Sequence, residues 1–427
     1  MTFSNTTSRR TAPRRPALPL AALSLATLLA ACGGGGGGSS STASGFSSGP
    51  ISGLGSIIVN GVRYEDGSAT VIDDDGSSVS RSSDDPLKLG VVVDVVGRIN
   101  DDGLNGTASR FEIRTELKGP VEAKNSLSDT LTVLGTPVRV TATTVYEGVA
   151  GFSALVAGGN GNVVEVHGLP DASGTLVATR IELESATVSA FGGDYRVRGS
   201  VTGLSGTVPA QSFNVGAVRV STDSATRING SLSDNARVSV RLNKTPVAGV
   251  YTATRVQLKA RGFGRDDAFN RAEIEGLITA FTSRESFEVN GYPVSTSSST
   301  NFEDGQTGVV LGARVEVEGS VVNGVLQARK VELDRFDDGD EGDDRDGDDR
   351  DDAPFEFKGV ATAVTGQGGE GTFTVRGQSI AYNSRTVFRD GLSAATFANA
   401  NIEVDAVINS GSGSASRFLA VRIERND

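Results

Sequence analysis

Ser56-Ile57-Ile58-Val59-Asn60-Gly61-Val62-Arg63-Tyr64 is the stretch on which the fold turns. Its apolar residues recur two apart, so on a strand they share one side. Asn60-Gly61 supplies the positive φ that a two-residue hairpin turn demands. The pattern returns as Thr130–Val138, Ser212–Val220, Ser286–Val294 and Thr372–Ile380, with Leu134-Gly135, Gly216-Ala217, Asn290-Gly291 and Arg376-Gly377 at the turn. In the third copy the glycine comes one place earlier, which a type II′ turn accommodates.

A second signature closes each copy. It reads Ala108-Ser109-Arg110-Phe111-Glu112-Ile113 in the first and Ala178-Thr179-Arg180-Ile181-Glu182-Leu183 in the second. Ala253–Leu258, Ala328–Leu333 and Ala420–Glu424 repeat it. Between the signatures lie a Thr-x-apolar step and an alternating strand, clearest in Arg314-Val315-Glu316-Val317-Glu318-Gly319. Each copy therefore holds about six short strands in some 60–70 residues. A flat sheet of that size leaves two open edges, and closure removes them. The expectation is an all-β chain, a tandem array of five small antiparallel β-barrels with an OB-like shape. A continuous solenoid would repeat every ~20–25 residues, far shorter than the period seen.

The unit resembles the bacterial family called domain of unknown function 5666. The resemblance rests on Gly49–Tyr64 and on the Val-Glu-Val-x-Gly and Ala-x-Arg-Ile-Glu strands, and it covers most of the chain from about residue 50. The third and fifth copies depart from it, with Leu242 and Ala406 in place of glycine after the alternating strand. The resemblance implies a shape and no activity.

Residues 1–31 read as a signal peptide: an arginine-rich start, then the apolar run Ala17–Ala31. That run is shorter than the ~20 residues of a spanning helix. Leu29-Ala30-Ala31-Cys32 resembles a lipobox, which implies cleavage before Cys32 and its acylation, palmitate among the chains. Gly33 follows in place of the Asp that marks inner-membrane retention, so an outer-membrane anchor facing the periplasm or the cell surface is expected. Residues 32–49 are nearly all Gly and Ser and read as a flexible tether. The repeats follow at 50–117, 118–186, 195–260, 272–334 and 355–427. A short link occupies 261–271 and an acidic, disordered linker 335–354.

With one Cys, one His and no Trp, internal disulfides and Cys/His metal sites are excluded. The net charge of −12 becomes about −16 without Arg9, Arg10, Arg14 and Arg15. Asp337–Asp352 holds eleven acids against two arginines. No basic field exists across a whole domain, so nucleic acid and anionic lipid headgroups are poor partners.

Candidate chemistry is sparse. His167 aligns with Val96, Arg241, Glu318 and Asp405 in the other copies, a variability that suits an outward strand position. Glu112, Glu182, Glu332 and Glu424, with Gln257 in the third copy, alternate with apolar residues, and their expected place is a solvated outer face. A carboxylate pair of this kind would be what a glycan-acting hydrolase needs. Phe213, Phe287 and Phe373 share a position with Ile57 and Leu131, which argues for core packing. Asp73-Asp74-Asp75-Gly76 reads as a hairpin turn. Asp344, Asp346 and Asp348 have the spacing for weak calcium binding, but Asp349 stands where an EF-hand turn needs glycine. Other cofactors are not expected. The reading that results is a non-enzymatic, membrane-anchored array that binds an envelope protein or polysaccharide through several similar barrels. A stalk without a specific ligand is the alternative, and a glycan-acting enzyme a more distant one.

Overall fold

The computed structural model describes residues 43–81, 85–171, 173–259, 262–264, 267–333, 354–367, 369–409 and 417–426. The signal peptide, Cys32 and the acidic run fall outside the described residues. Within them the chain is strand and loop, with one short 3-10 turn at Phe152–Ala154. No helix among them is long and apolar enough to cross a membrane.

The first barrel shows the plan. Its first strand, Ala43–Leu54, pairs antiparallel with Ile57–Val59, which pairs antiparallel with the third strand, Val62–Glu65. The third strand runs parallel to the fifth, Asn105–Arg114. The fifth pairs antiparallel with the fourth, Val92–Ile99, which returns to the first. This circuit of five positions is an OB-type barrel. The sixth strand of each copy, here Thr70–Ile72, extends the third strand's place along the fifth. The four later copies repeat the circuit, with first strands at Leu117–Asn125, Tyr195–Thr207, Phe269–Ser283 and Phe355–Val360. The fourth and fifth strands of these copies are Val163–Pro170 with Leu176–Ser185, Arg237–Leu242 with Tyr251–Lys259, Arg314–Val322 with Val325–Leu333, and Asn401–Ile408 with Phe418–Arg425.

The hairpin turns form as their residues require. Asn60-Gly61, Leu134-Gly135, Asn290-Gly291 and Arg376-Gly377 carry positive φ at both positions, and Gly216-Ala217 at Gly216 alone. The flanking residues, Val59 with Val62 and Val215 with Val218, pair across two-residue loops. Phe213, Phe287 and Phe373 point into their barrels and are buried.

The barrels do not hang as separate beads. First strands pair with first strands: Gly45–Ser48 lies parallel to Arg271–Ile274 of the fourth barrel, and Gly53-Leu54 parallel to Glu356-Phe357 of the fifth. Leu117-Lys118 of the second barrel meets Arg196-Val197 of the third, here antiparallel. The first and fifth barrels share one apolar core, the second and third another. A small cluster, Val92, Leu169, Val177 and Leu277, joins the first, second and fourth. All five belong to one compact unit, and the first barrel meets the other four.

Two expectations are corrected. The span 32–49 is not a tether throughout, because the first strand begins at Ala43 and lies between two neighbours. Phe46, the one large apolar side chain of that run, is 5% exposed and packs with Phe263, Phe269 and Tyr292 in the fourth barrel's core. Ser47 and Ser48 bond to Tyr64 and Asp94, and a β-carbon at Gly45 would meet Ile99 at 2.5 Å. Within the expected link, Phe263 likewise joins that core and a strand begins at Phe269. A single aromatic side chain, with hydroxyls and glycine fitted around it, outweighs a polar composition.

Phe46→Ala should therefore destabilise the protein by about 3–5 kcal/mol, the usual cost of emptying an aromatic site in a core. Urea denaturation beside Ser44→Ala would measure it, and equal stabilities would return residues 43–49 to a tether.

Candidate functional site

In every barrel the first, fourth and fifth strands lie side by side, and their outward residues form a small grid of rows. The third barrel's grid is basic. Ser200, Arg237 and Lys259 make one row, Arg198, Ser239 and Gln257 the next, and Arg196, Arg241 and Arg255 the last. The turn Asp73–Gly76 of the first barrel lies on the second and third rows. It does form the hairpin turn read from sequence, pairing Thr70–Ile72 with Ser78-Val79. Asp73 caps its own turn by accepting from the Asp75 and Ser77 amides at 3.0 and 2.8 Å.

Asp74 and Asp75 are 0% and 3% exposed. Asp74 accepts from Arg198 at 2.6 Å and from the Ser239 hydroxyl, with Lys259 at 3.5 Å. Asp75 meets Arg241 and, at 3.3 Å, Arg196, while Arg255 donates to its carbonyl at 3.3 Å. Burial opposes ionisation of Asp74, yet Arg198, Lys259 and Arg196 with the Ser239 hydroxyl hold its carboxyl below the usual range.

The second barrel's grid receives the first barrel in a different way. His167 is outward-facing as its variability implied, but it is not solvated: it is 3% exposed. Its Nδ1 lies 2.9 Å from the Arg114 carbonyl and its Nε2 3.3 Å from Glu165. Both ring nitrogens face acceptors, so the imidazolium donates twice. Burial lowers its pKa, but Glu165 and the Arg114 carbonyl raise it overall. Burial also disfavours the charged Glu165, which His167 and Lys118 nonetheless hold well below the ordinary value. Arg180 donates to the Leu89 carbonyl at 3.1 Å, Thr179 to that of Gly90 at 2.6 Å, and Lys88 to Glu147 at 2.9 Å.

In the fifth barrel Glu356, Glu403 and Asp405 bring carboxylate oxygens within 4.8 Å of one another. Arg63 of the first barrel reaches Glu356 and Glu403 at 2.5 and 3.0 Å, Lys358 reaches Glu403 at 2.6 Å, and Arg422 reaches Asp405 at 2.6 Å. Three cations thus match three acids. Burial pushes Asp405 up to about 6 against the pull of Arg422. The fourth barrel's grid is acidic, with Glu273 opposite Glu318 and Glu275 opposite Glu316. Burial raises both Glu273 and Glu316, and neighbouring carboxylates push the same way, Glu316 and Glu318 on Glu273 and Glu275 on Glu316. The first barrel's own grid is mixed, with apolar pairs at Phe46 beside Val96 and Pro50 beside Val92 and the charged Asp94, Arg110, Glu112 and Arg114 around them.

The outward glutamates of the closing strand are half-buried in ion pairs, which corrects the expected solvated face. Glu112 takes Lys259 at 3.2 Å, Glu182 Arg180 at 3.1 Å, Glu332 Lys330 at 2.7 Å and Glu424 Arg422 at 3.4 Å. Gln257 is half-buried beneath the acidic turn. Leu29, Ala30, Ala31 and Cys32, and Asp344, Asp346 and Asp348, lie outside the described residues. Asp74 and Asp75 were missed as a site because a turn of three acids is indistinguishable from a solvated one. The signal was in the partner: five basic residues on alternate positions of Arg196–Arg198, Arg241 and Arg255–Lys259, with few acids of their own.

The barrels coincide with five matches to one family profile, described as a domain of unknown function (DUF5666), at residues 48–112, 118–182, 198–257, 275–332 and 358–424. No curated protein matches the chain. Among solved structures it is similar to "drosophila Unr CSD456", with 14% identity and a TM-score of 0.13 over 54% of this chain and 96% of that one.

Asp74→Asn should cost about 3–5 kcal/mol at neutral pH, since it removes the fully buried carboxylate that joins Arg198 and Lys259. A loss under about 0.5 kcal/mol in urea denaturation would mean a solvated turn. For His167 the folded pKa is raised, so its contribution is complete below about 6.5 and disappears as pH climbs through the raised value. The stability gap between wild type and His167→Gln should thus be widest near pH 5–6 and narrow at alkaline pH. A gap independent of pH would remove the imidazolium from the joint.

Proposed function

This chain belongs to the domain of unknown function 5666 family, carrying its unit five times, and from that premise we propose that it is a rigid, non-enzymatic scaffold of the bacterial envelope, held to the outer membrane by acylated Cys32. The observation that carries the scaffold reading is the matching of charged grid to neighbouring barrel. Where the first barrel meets the second, third and fifth, clustered acids and bases pair across the barrel boundary, in the manner of a joint. An array of independent binding beads would leave those faces to solvent.

The anchor rests on Leu29-Ala30-Ala31-Cys32, the only cysteine standing where acylation needs it. Two acyl chains, each CH₂ worth ~0.8 kcal/mol, hold a protein stably at a bilayer. The partner in this reading is an envelope protein or polysaccharide met by the exposed rim. Leu127 and Val208, 100% and 71% exposed at the tips of first-to-second hairpins, are apolar groups offered to it. They favour a binding platform over a stalk that touches nothing. Because the barrels are docked, the rim is presented as one fixed set.

Palmitate labelling in the expressing bacterium should mark the wild type and not Cys32→Ala, and the variant should leave the outer-membrane fraction. An unlabelled wild type would remove the anchor. Deleting residues 355–427 strips half of the core shared by the first and fifth barrels. Crosslinked partner should then be lost in a single step while limited proteolysis opens the first barrel. A graded loss, with the remaining barrels resistant, would instead describe independent beads.

A further inference from the structure

The basic grid of the third barrel is only partly covered. The acidic turn of the first barrel satisfies the rows of Arg198 and Arg196, and through Lys259 it reaches the end of the remaining row. Arg237, in the middle of that row, is left. Among the described residues no side chain or backbone group forms a hydrogen bond or ion pair with its guanidinium. Its cross-strand neighbour Ser200 is exposed and carries a free hydroxyl.

The surroundings add positive charge. Arg114 of the first barrel and Arg198 lie close enough to oppose Arg237's own charge, after burial the main causes that lower its pKa. Glu116, the carboxylate whose charge acts on Arg237, is already placed between Arg114 and Arg198 at 3.6 and 3.7 Å. Asp94 and Asp74 are likewise engaged with Arg114 and Arg198. The guanidinium lies over the Asn290-Gly291 turn of the fourth barrel, where a β-carbon on Gly291 would meet its Nη1 at 2.2 Å. That turn leaves room because position 291 is glycine. A half-buried guanidinium with a surplus charge, beside a free hydroxyl, is an incomplete ion pair.

We propose that Arg237 and Ser200, backed by Arg114 and Arg198 where the first, third and fourth barrels meet, form a binding site for a small oxyanion of the phosphate class. Arg237 donates in two-pronged fashion to two oxygens and Ser200 donates to a third, as planar guanidinium and hydroxyl geometry allows. The flanking arginines supply field without giving up their own carboxylates. Inorganic phosphate and a phosphate monoester on an envelope glycan or lipid share this chemistry.

Inorganic phosphate titrated into the detergent-solubilised full chain at constant ionic strength tests the site, with calorimetry and melting temperature as readouts. Wild type should bind and melt higher, and Arg237→Gln should weaken binding at least about tenfold. Arg329→Gln, at an arginine whose side chain is 76% exposed, should bind as wild type does. Ser200→Glu places a carboxylate beside Arg237 on an exposed position, so it should melt higher without phosphate and no longer respond to it. This second variant decides the matter even if Arg237→Gln folds poorly. Equal phosphate binding by wild type and Ser200→Glu, no binding by wild type up to about 10 mM, or acetate binding as tightly as phosphate would each overturn the site. If the site holds, a glucose-phosphate monoester that binds more tightly than inorganic phosphate points to a glycan source, and a short-chain phosphatidic acid that does so to a lipid.

Discussion

A carboxylate can leave water only if a counter-charge and hydrogen-bond donors meet it on the far side, and Asp74 meets Arg198, Lys259 and Ser239. The arrangement of the barrels follows from that requirement repeated at each joint. The same outward grid is basic where it receives an acidic turn and acidic where it receives Arg63. It is mixed around His167 and apolar where Phe46 plugs the fourth barrel. Five copies of one unit have thus kept a common interior and diverged on a single exterior face. Long-range attraction of unlike charges selects which copy meets which, and the apolar part of the grid adds the area that holds them.

The first strand makes this possible in a fold whose closure otherwise removes every edge. It runs to 12 residues in the first barrel and 15 in the fourth, longer than its partners, and register shifts let it bend from one sheet into the next. A glycine just past its end lets the backbones approach: a β-carbon on Gly55, at φ +134°, would sit 2.6 Å from Lys358. The first barrel therefore carries the shortest first-to-second hairpin, trimmed where the fifth barrel lies against it.

Such docking has a kinetic side. Arg63 meets Glu403 across a separation of 340 residues, and the first barrel's core includes Phe355, Phe373 and Phe418 from the far end of the chain. Loop closure over that span must precede the stabilisation it brings, so the joint between first and fifth barrels belongs among the last events of folding. The fixed geometry that results is what distinguishes a scaffold from a string of modules.

Much of the fold was legible in the residues themselves. Period-two apolar spacing, two-residue turns with glycine and the recurring closing strand specify each hairpin and the inward Phe213, Phe287 and Phe373, because those choices depend on neighbours a few residues away. The side of the strand on which His167 stands was legible for the same reason. What covers that side was not, since period two separates inside from outside and is silent on whether the outside meets water or another barrel. Composition likewise misjudged residues 43–49, where one Phe46 finds a core made by residues more than two hundred positions on. The sequence by itself determined five closed barrels and their turns, through local pairing. Tertiary structure alone decided which charged face each barrel shows to which neighbour, because complementarity between surfaces exists only once both have folded.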